Sequence, residues 1–161
     1  MSSDPVIRAA TSDDVDRLVD LWVALAAEQR PHGSHLPPDA NRTAAREAIA
    51  HRVVTDGVRV AVHEDAVVGF VTFRVEAGRY EQDVERGVVD DLFVVPDHRN
   101  AGVGARLLDA AEAALRAAGV DAVALEALSD NAAARRFYER RGYRPHRVEF
   151  EKGLENDTSG G

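Results

Sequence analysis

Short runs rich in valine alternate along this chain with longer segments in which apolar residues recur every three or four positions. The first longer segment shows this spacing at Val15, Leu18, Val19, Trp22, Leu25 and Ala26. Runs of β-branched residues are typical of strands, whereas the longer period is typical of helices with one buried face. The alternation predicts an α/β domain.

The predicted elements follow the order strand, helix, helix, hairpin, strand, helix, strand, helix and two short closing strands. They cover residues 5–10, 15–26, 42–57, 58–77, 87–96, 102–118, 120–127, 131–141 and 143–152 in turn. Thr11 and Asp14 match a capping box with aspartate in place of glutamate, and Glu64 and Asp65 mark the turn of the hairpin. The strand over 87–96 is apolar enough to be buried on both faces.

Length and composition narrow the class of protein. With 161 residues, of which 45% are hydrophobic, the chain is expected to form a single domain over 1–153 and a disordered polar tail over 154–161. The absence of cysteine excludes disulfides and thiolate metal sites. A formal charge of −8 argues against nucleic acid and anionic membranes as partners. We find neither a leader pattern nor a long apolar run, so a cytoplasmic location is expected.

An arginine and two glycines stand between the buried strand and the next helix. Arg99, Gly102 and Gly104 lie where the helix is predicted to begin. The first amides of a helix lack partners inside it and can bind an anion, and an arginine beside them can grip phosphate oxygens. The spacing fits neither of the two familiar nucleotide-binding glycine motifs, which leaves a pyrophosphate as the expected ligand. Equally, the glycines could serve only a tight strand-to-helix turn.

Two longer blocks add a family resemblance. The segments "DDLFVVPDHRNAGVGARLLDAAE" and "LEALSDNAAARRFYERRGYRP" resemble the two signature blocks of the GNAT acetyltransferase superfamily, in the same order and separation. The matching residues are Arg99, Gly102, Gly104, Asn131, Phe137, Tyr138, Gly142 and Tyr143. The resemblance covers residues 5–153. It implies an α/β (α+β) fold with a mixed, mostly antiparallel sheet that is flanked by helices and splayed between the fourth and fifth strands, with acetyl-CoA in the gap.

The resemblance also implies a set of residues that bind the cofactor. Similar proteins carry a bulge in the strand that contains "DLFVV", and backbone amides there would face the thioester. The expected cofactor-binding residues are Phe93, Val94, Val95, Arg99, Asn100, Ala101, Gly102, Val103, Gly104, Ala105, Asn131 and Tyr138. No metal is expected to take part.

Tyr138 is the predicted general acid. Acetyl transfer to an amine needs a proton for the departing thiolate, and the family resemblance places a tyrosine here beside the thioester sulfur. Asn131 lies seven residues before Tyr138, two helical turns away, so both side chains can face one cofactor. Without the resemblance, the pattern would indicate that Tyr138 is a tyrosine at the rim of the core and that Asn131 is a helix N-cap.

Asp90 is the predicted base. An amine with an ordinary pKa of about 10 is protonated at neutral pH, so a proton must be accepted directly or through water. Related proteins often carry glutamate where Asp90 falls, and the shorter aspartate favours a water relay. Strand alternation predicts that Asp90 and Asp91 point to opposite faces. The alternative is a pair of solvated carboxylates at a strand end.

Two loops are expected to face each other across the acceptor cleft. One is the proline-rich loop 31–38, in which His32 and His35 read as ordinary surface residues, and the other is the acidic loop 78–86. Carboxylates in the acidic loop would attract a cationic amine.

The predicted function is N-acetylation of a primary amine, on a small molecule or a protein, with acetyl-CoA as the donor. The alternative is a catalytically silent domain that binds acyl-CoA. A homodimer is also predicted, because similar proteins often dimerise through their last strands.

Overall fold

The computed structural model describes residues 4–78 and 80–155. Its five strands form one sheet in the order β1-β2-β3-β4-β5. The strands are β1 Val6–Ala9, β2 Val58–His63, β3 Ala66–Val75, β4 Arg86–Val94 and β5 Ala122–Leu125. The first four are antiparallel to their neighbours, whereas β4 and β5 are parallel. A mixed, mostly antiparallel sheet was predicted from the sequence, and the structure confirms it.

Helices cover both faces of the sheet. They are α1 Val15–Gln29, α2 Arg42–Val54, α3 Val103–Ala117 and α4 Ala132–Arg140. On one face, Leu18 of α1 and Ile49 of α2 pack against Phe70 and Phe93. On the other face, a second core cluster joins α3 to the sheet, and Phe137 and Tyr138 of α4 pack at its margin. The two apolar faces account for the nearly continuous apolar sequence of the central strands.

Local signals at two turns are confirmed. The Thr11 amide donates to the Asp14 carboxylate at 2.8 Å, and Arg8 holds the same carboxylate with bonds of 2.8 and 3.0 Å. The hairpin between β2 and β3 turns at Glu64 and Asp65, whose φ values of 50° and 64° are those of a left-handed two-residue turn. Short-range sequence rules therefore locate both the start of the first helix and the hairpin.

The two closing strands predicted over 143–152 are not present in the structure. Residues 143–155 contain no strand, although Val148 and Phe150 alternate with charged residues as a strand pattern requires. A strand needs a hydrogen-bonded neighbour, and in the described part of the chain this segment pairs with none. Val148, Phe150 and Leu154 are consequently 65%, 92% and 87% exposed. Of the tail predicted over 154–161, residues 156–161 lie outside the described residues.

A gap opens between β4 and β5, as the family resemblance implied. The two strands pair only over Arg86–Val89 of β4 and Ala122–Leu125 of β5. The second half of β4 keeps its antiparallel partner β3 but has, among the described residues, no strand on its other side. That half of β4 therefore presents free backbone groups to the gap.

A β-bulge lies where β4 enters the gap. Thr72 is opposite Asp91, and the next residue, Phe73, is opposite Val89, so Asp90 is an extra residue in β4. A bulge of this kind interrupts the alternation of side chains between the two faces of a sheet. The bulge was expected in this strand, and its position decides where the two aspartates point.

Candidate active site

The free edge of β4 offers two amides to the gap, and only one of them, that of Val94, belongs to the predicted set. The Val95 amide donates to the Val68 carbonyl of β3 at 2.9 Å. Since amides of an antiparallel strand alternate in direction, the Phe93 amide also turns toward β3, whereas those of Leu92 and Val94 turn toward the gap. The amides of Phe93 and Val95 are therefore not available to a ligand in the gap. Leu92 was missed because the sequence does not show the hydrogen-bond register.

The N-terminus of α3 lies beside the end of β4. Gly102 is its N-cap with φ of 82°, and the first bond within the helix runs from the Arg106 amide to the Gly102 carbonyl at 3.1 Å. The amides of Val103, Gly104 and Ala105 precede that bond, so they have no partner inside the helix. A Cβ added to Gly102 would meet nothing within 4 Å. Open space beside Gly102 and three amides without a partner inside the helix are what an anion site requires.

Arg99 is held at this loop by three contacts. Its Nε donates to the Val94 carbonyl at 2.7 Å, and its guanidinium binds the Glu28 carboxylate at 2.7 and 3.0 Å. The guanidinium also lies over the Phe93 ring, 5.3 Å from its centroid. Arg99 therefore ties the loop before α3 to the end of α1, a contact that the sequence did not predict.

Asn131 and Tyr138 occupy the two ends of α4. The Asn131 side chain accepts a hydrogen bond from the Ala134 amide at 3.2 Å, so Asn131 is the N-cap of the helix. The Tyr138 ring stacks on Phe137 with 5.4 Å between centroids and meets the edge of Tyr143 at 6.1 Å. Burial raises the pKa of Tyr138, and the negative charge of Asp91 raises it further. The hydroxyl consequently stays protonated, as a proton donor must.

The two aspartates point to the same face of the sheet, which corrects the expectation that they diverge. Asp91 accepts a hydrogen bond from the Thr72 hydroxyl at 2.7 Å, and Asp90 pairs with Arg74 at 3.0 Å. Thr72 and Arg74 are two residues apart on β3 and so share a face. The bulge is the physical reason, because it places an extra residue between Val89 and Asp91.

The environments of the two carboxylates differ. Asp90 is exposed and bound by Arg74. Burial raises the pKa of Asp91 above its ordinary value and the nearby charge of Asp90 raises it further, while the Thr72 hydrogen bond and the charge of Arg52 oppose the rise without cancelling it. An aspartate with a raised pKa is a better proton acceptor than a solvated one.

A cleft of about 260 Å³ opens above these carboxylates, between α2 and strands β3 and β4. It is lined by Trp22, Ala45, Ala48, Ile49, Arg52, Thr72, Arg74, Asp90 and Asp91. We call it the α2 cleft. Its polar floor and aromatic wall are features of a small-molecule site.

The two loops predicted to face each other lie at opposite ends of the parallel pair β4 and β5. The acidic loop is fixed at the start of β5, where the Asp121 amide donates to the Glu85 carbonyl at 2.7 Å. The proline-rich loop is fixed beyond the end of β5, where His32 binds Asp130 at 2.9 Å. His35 binds Glu151 at 2.8 Å. The expectation that the two loops face each other across one cleft is therefore wrong.

A bulged β4 edge, a gap beside it and a helix N-terminus at its end are the arrangement that the resemblance to acyl-CoA-dependent transferases implied. Residues 18–143 match the model of the acetyltransferase (GNAT) family, and the chain belongs to that family. It is an acetyl-CoA-dependent N-acetyltransferase.

Relatives agree with this assignment. The chain is 27% identical over 150 residues to an aminoalkylphosphonate N-acetyltransferase of Salmonella typhimurium, covering 92% of this chain and 90% of the relative. A GCN5-related N-acetyltransferase from Ralstonia eutropha has a similar structure, with a TM-score of 0.73, 24% identity, and 93% and 98% of the two chains covered. An aminoglycoside N-acetyltransferase in complex with CoA gives a TM-score of 0.72 at 16% identity, over 96% and 97% of the chains. The last two likenesses concern the fold.

The described residues contain no helix that is both long and apolar enough to cross a membrane.

Proposed function

We propose that the protein transfers the acetyl group of acetyl-CoA directly to the primary amine of a small molecule. The observation that carries this proposal is the gap beside β4, which the free amides of α3 border at one end. A panel of primary amines, assayed by thiol release from acetyl-CoA, tests it. Thiol release that depends on an amine is the expected result, whereas binding without turnover would favour the catalytically silent alternative.

The donor would bind along the free edge of β4. The amides of Val103, Gly104 and Ala105 would hold the pyrophosphate, with the backbone of Asn100 and Ala101 completing the loop. Pantetheine would pair with the amides of Leu92 and Val94. Arg99 would have to release Glu28 before it could bind a phosphate, because the Glu28 carboxylate already binds its guanidinium.

The reaction needs three proton movements besides the bond changes. One ammonium proton would first pass to a carboxylate or to water, and the neutral amine nitrogen then attacks the thioester carbonyl, so that a C–N bond forms and the C–S bond breaks. Tyr138 would donate its proton to the departing thiolate, because burial keeps its hydroxyl protonated. The second proton of the attacking nitrogen would return to the Tyr138 oxygen and restore its hydroxyl.

We propose Asp91 as that carboxylate, ahead of Asp90. Asp91 has the raised pKa and lies close enough to Tyr138 to influence it, while Asp90 is exposed and paired with Arg74. If Asp91 must be ionised, kcat/KM falls as the pH drops through its raised pKa.

Replacing Asp91 by asparagine is expected to lower kcat by about 10²- to 10⁴-fold, the usual size of a general-base contribution. The acid limb of the pH profile of kcat/KM should disappear as well. Asp90→Asn is the matched control, one residue away, and should retain most of kcat and the acid limb. The opposite result would assign the base to Asp90, and an intact acid limb in both variants would assign it to water.

We propose that residues 143–155 pair with a second copy of the chain. Val148 and Phe150 are exposed on a segment outside any helix or strand. Since β5 is the last strand of the sheet, one of its edges lacks a neighbour among the described residues. Unpaired edges and exposed apolar side chains favour association. A cytoplasmic location stays a prediction.

Phe150→Glu is expected to shift the protein from dimer to monomer in light scattering coupled to gel filtration. The side chain is 92% exposed, so the change should leave the fold of one chain intact. Glu149→Gln, beside it, should remain dimeric. A wild-type monomer at micromolar concentration would contradict the proposal.

A further inference from the structure

Four charged residues line the α2 cleft, and only two of them form an ion pair with each other. Arg74 and Asp90 bind each other, with Arg74 Nε 3.0 Å from the Asp90 carboxylate. The remaining two are Asp91, which accepts only the Thr72 hydroxyl, and Arg52.

Arg52 differs from its neighbours on α2 in having no ionic partner. Arg42 and Arg46 of the same helix bind Asp20 and Asp16 of α1 at 2.8 and 2.6 Å. Within residues 4–78 and 80–155, no carboxylate forms an ion pair with Arg52, which is half-buried in the wall of the cleft. A half-buried guanidinium has lost part of its hydration, and Asp91 acts on it only through its charge and not through an ion pair, so it favours an anionic ligand.

We infer that the acceptor is a small amine that also carries an anionic group, an inference that rests on the acetyl transfer proposed above. Its ammonium would lie toward Asp91 and its carboxylate or phosphonate toward Arg52. A diamine would bring its second positive charge beside Arg52, which costs free energy. A simple alkylamine would leave Arg52 without a partner. The cleft volume of about 260 Å³ suits a compact molecule.

The experiment compares four acceptors at saturating acetyl-CoA by thiol release. Two carry an anion, 3-aminopropanoate and 2-aminoethylphosphonate; the others are propylamine and 1,4-diaminobutane. Arg52→Gln should raise KM for the two anionic amines by about ten- to hundredfold, the usual effect of a hydrogen bond between charged groups. Their kcat should change little, because Arg52 binds the acceptor away from the reacting nitrogen.

Two further variants separate recognition from structural damage. Arg52→Lys keeps the charge but not the planar fork, so its KM for 3-aminopropanoate should lie between those of wild type and Arg52→Gln. Arg46→Gln makes the same change on the same helix at a residue that does not line the cleft, and should behave as wild type.

The outcomes distinguish this inference from the function on which it rests. Thiol release with a wild-type preference for propylamine or 1,4-diaminobutane would overturn the anionic acceptor alone. An equal rise of KM for propylamine and 3-aminopropanoate in Arg52→Gln would do the same. No thiol release with any of the four acceptors would count against the proposed function, and with it the inference.

Discussion

Replacing Gly102 by glutamate is expected to abolish the stabilisation of the protein by acetyl-CoA. The wild-type melting temperature should rise saturably, since a ligand at 100 times its Kd adds about 2.7 kcal/mol to the free energy of unfolding. In the variant, a carboxylate would stand beside the amides of Val103, Gly104 and Ala105, where the pyrophosphate would bind. Differential scanning fluorimetry over a range of acetyl-CoA concentrations measures both effects.

The control for this change lies at the other end of the same helix. Gly102 and Gly119 have φ values of 82° and 92°, and a Cβ added at either would meet nothing within 4 Å. Glutamate should therefore cause similar backbone strain at both, about 1–2 kcal/mol. Gly119→Glu should melt earlier yet keep the shift with acetyl-CoA. Equal loss of the shift in both variants would mean that strain, not the anion site, is responsible, and a wild type indifferent to millimolar acetyl-CoA would contradict the donor site.

Tyr138→Phe is expected to lower kcat by about 10²-fold, the lower end of a general-acid contribution. The substitution keeps the ring that stacks on Phe137 and removes only the hydroxyl. Folding and acetyl-CoA binding should survive. Steady-state thiol release with the best amine, under conditions where chemistry limits the rate, measures the effect.

Tyr143 provides the matched control for the acid. Its hydroxyl donates to Glu112 at 2.6 Å, and burial together with this carboxylate raises its pKa. Tyr143→Phe should cost about 1 kcal/mol of stability through the lost hydrogen bond and leave kcat nearly unchanged. If the two variants retain the same kcat, Tyr138 is a residue of the core margin and not the acid.

The sequence predicted features that depend on neighbours along the chain. The capping box at Thr11 and Asp14, the turn at Glu64 and Asp65, and the helix start after Gly102 all follow from local backbone geometry. Each involves residues within a few positions of one another, so the amino-acid types alone carry the information.

Features that depend on the register between strands could not be predicted from the sequence. The exact position of the bulge at Asp90 is set by how β4 pairs with β3, and it alone determines that Asp91 shares a face with Asp90. The same register decides that Leu92, and not Val95, turns its amide to the gap. The prediction of two closing strands was wrong for a related reason. An alternating pattern does not show whether a partner strand exists within the chain.

β4 serves two sites that are otherwise built from different parts of the chain. Its edge and the N-terminus of α3 form the proposed donor site, whereas α1, α2 and β3 supply the rest of the α2 cleft, the proposed acceptor site. If both proposals hold, substitutions in α2 alter acceptor choice without disturbing the binding of acetyl-CoA. This separation of the two sites would let the same fold acquire new amine substrates through substitutions in a single helix.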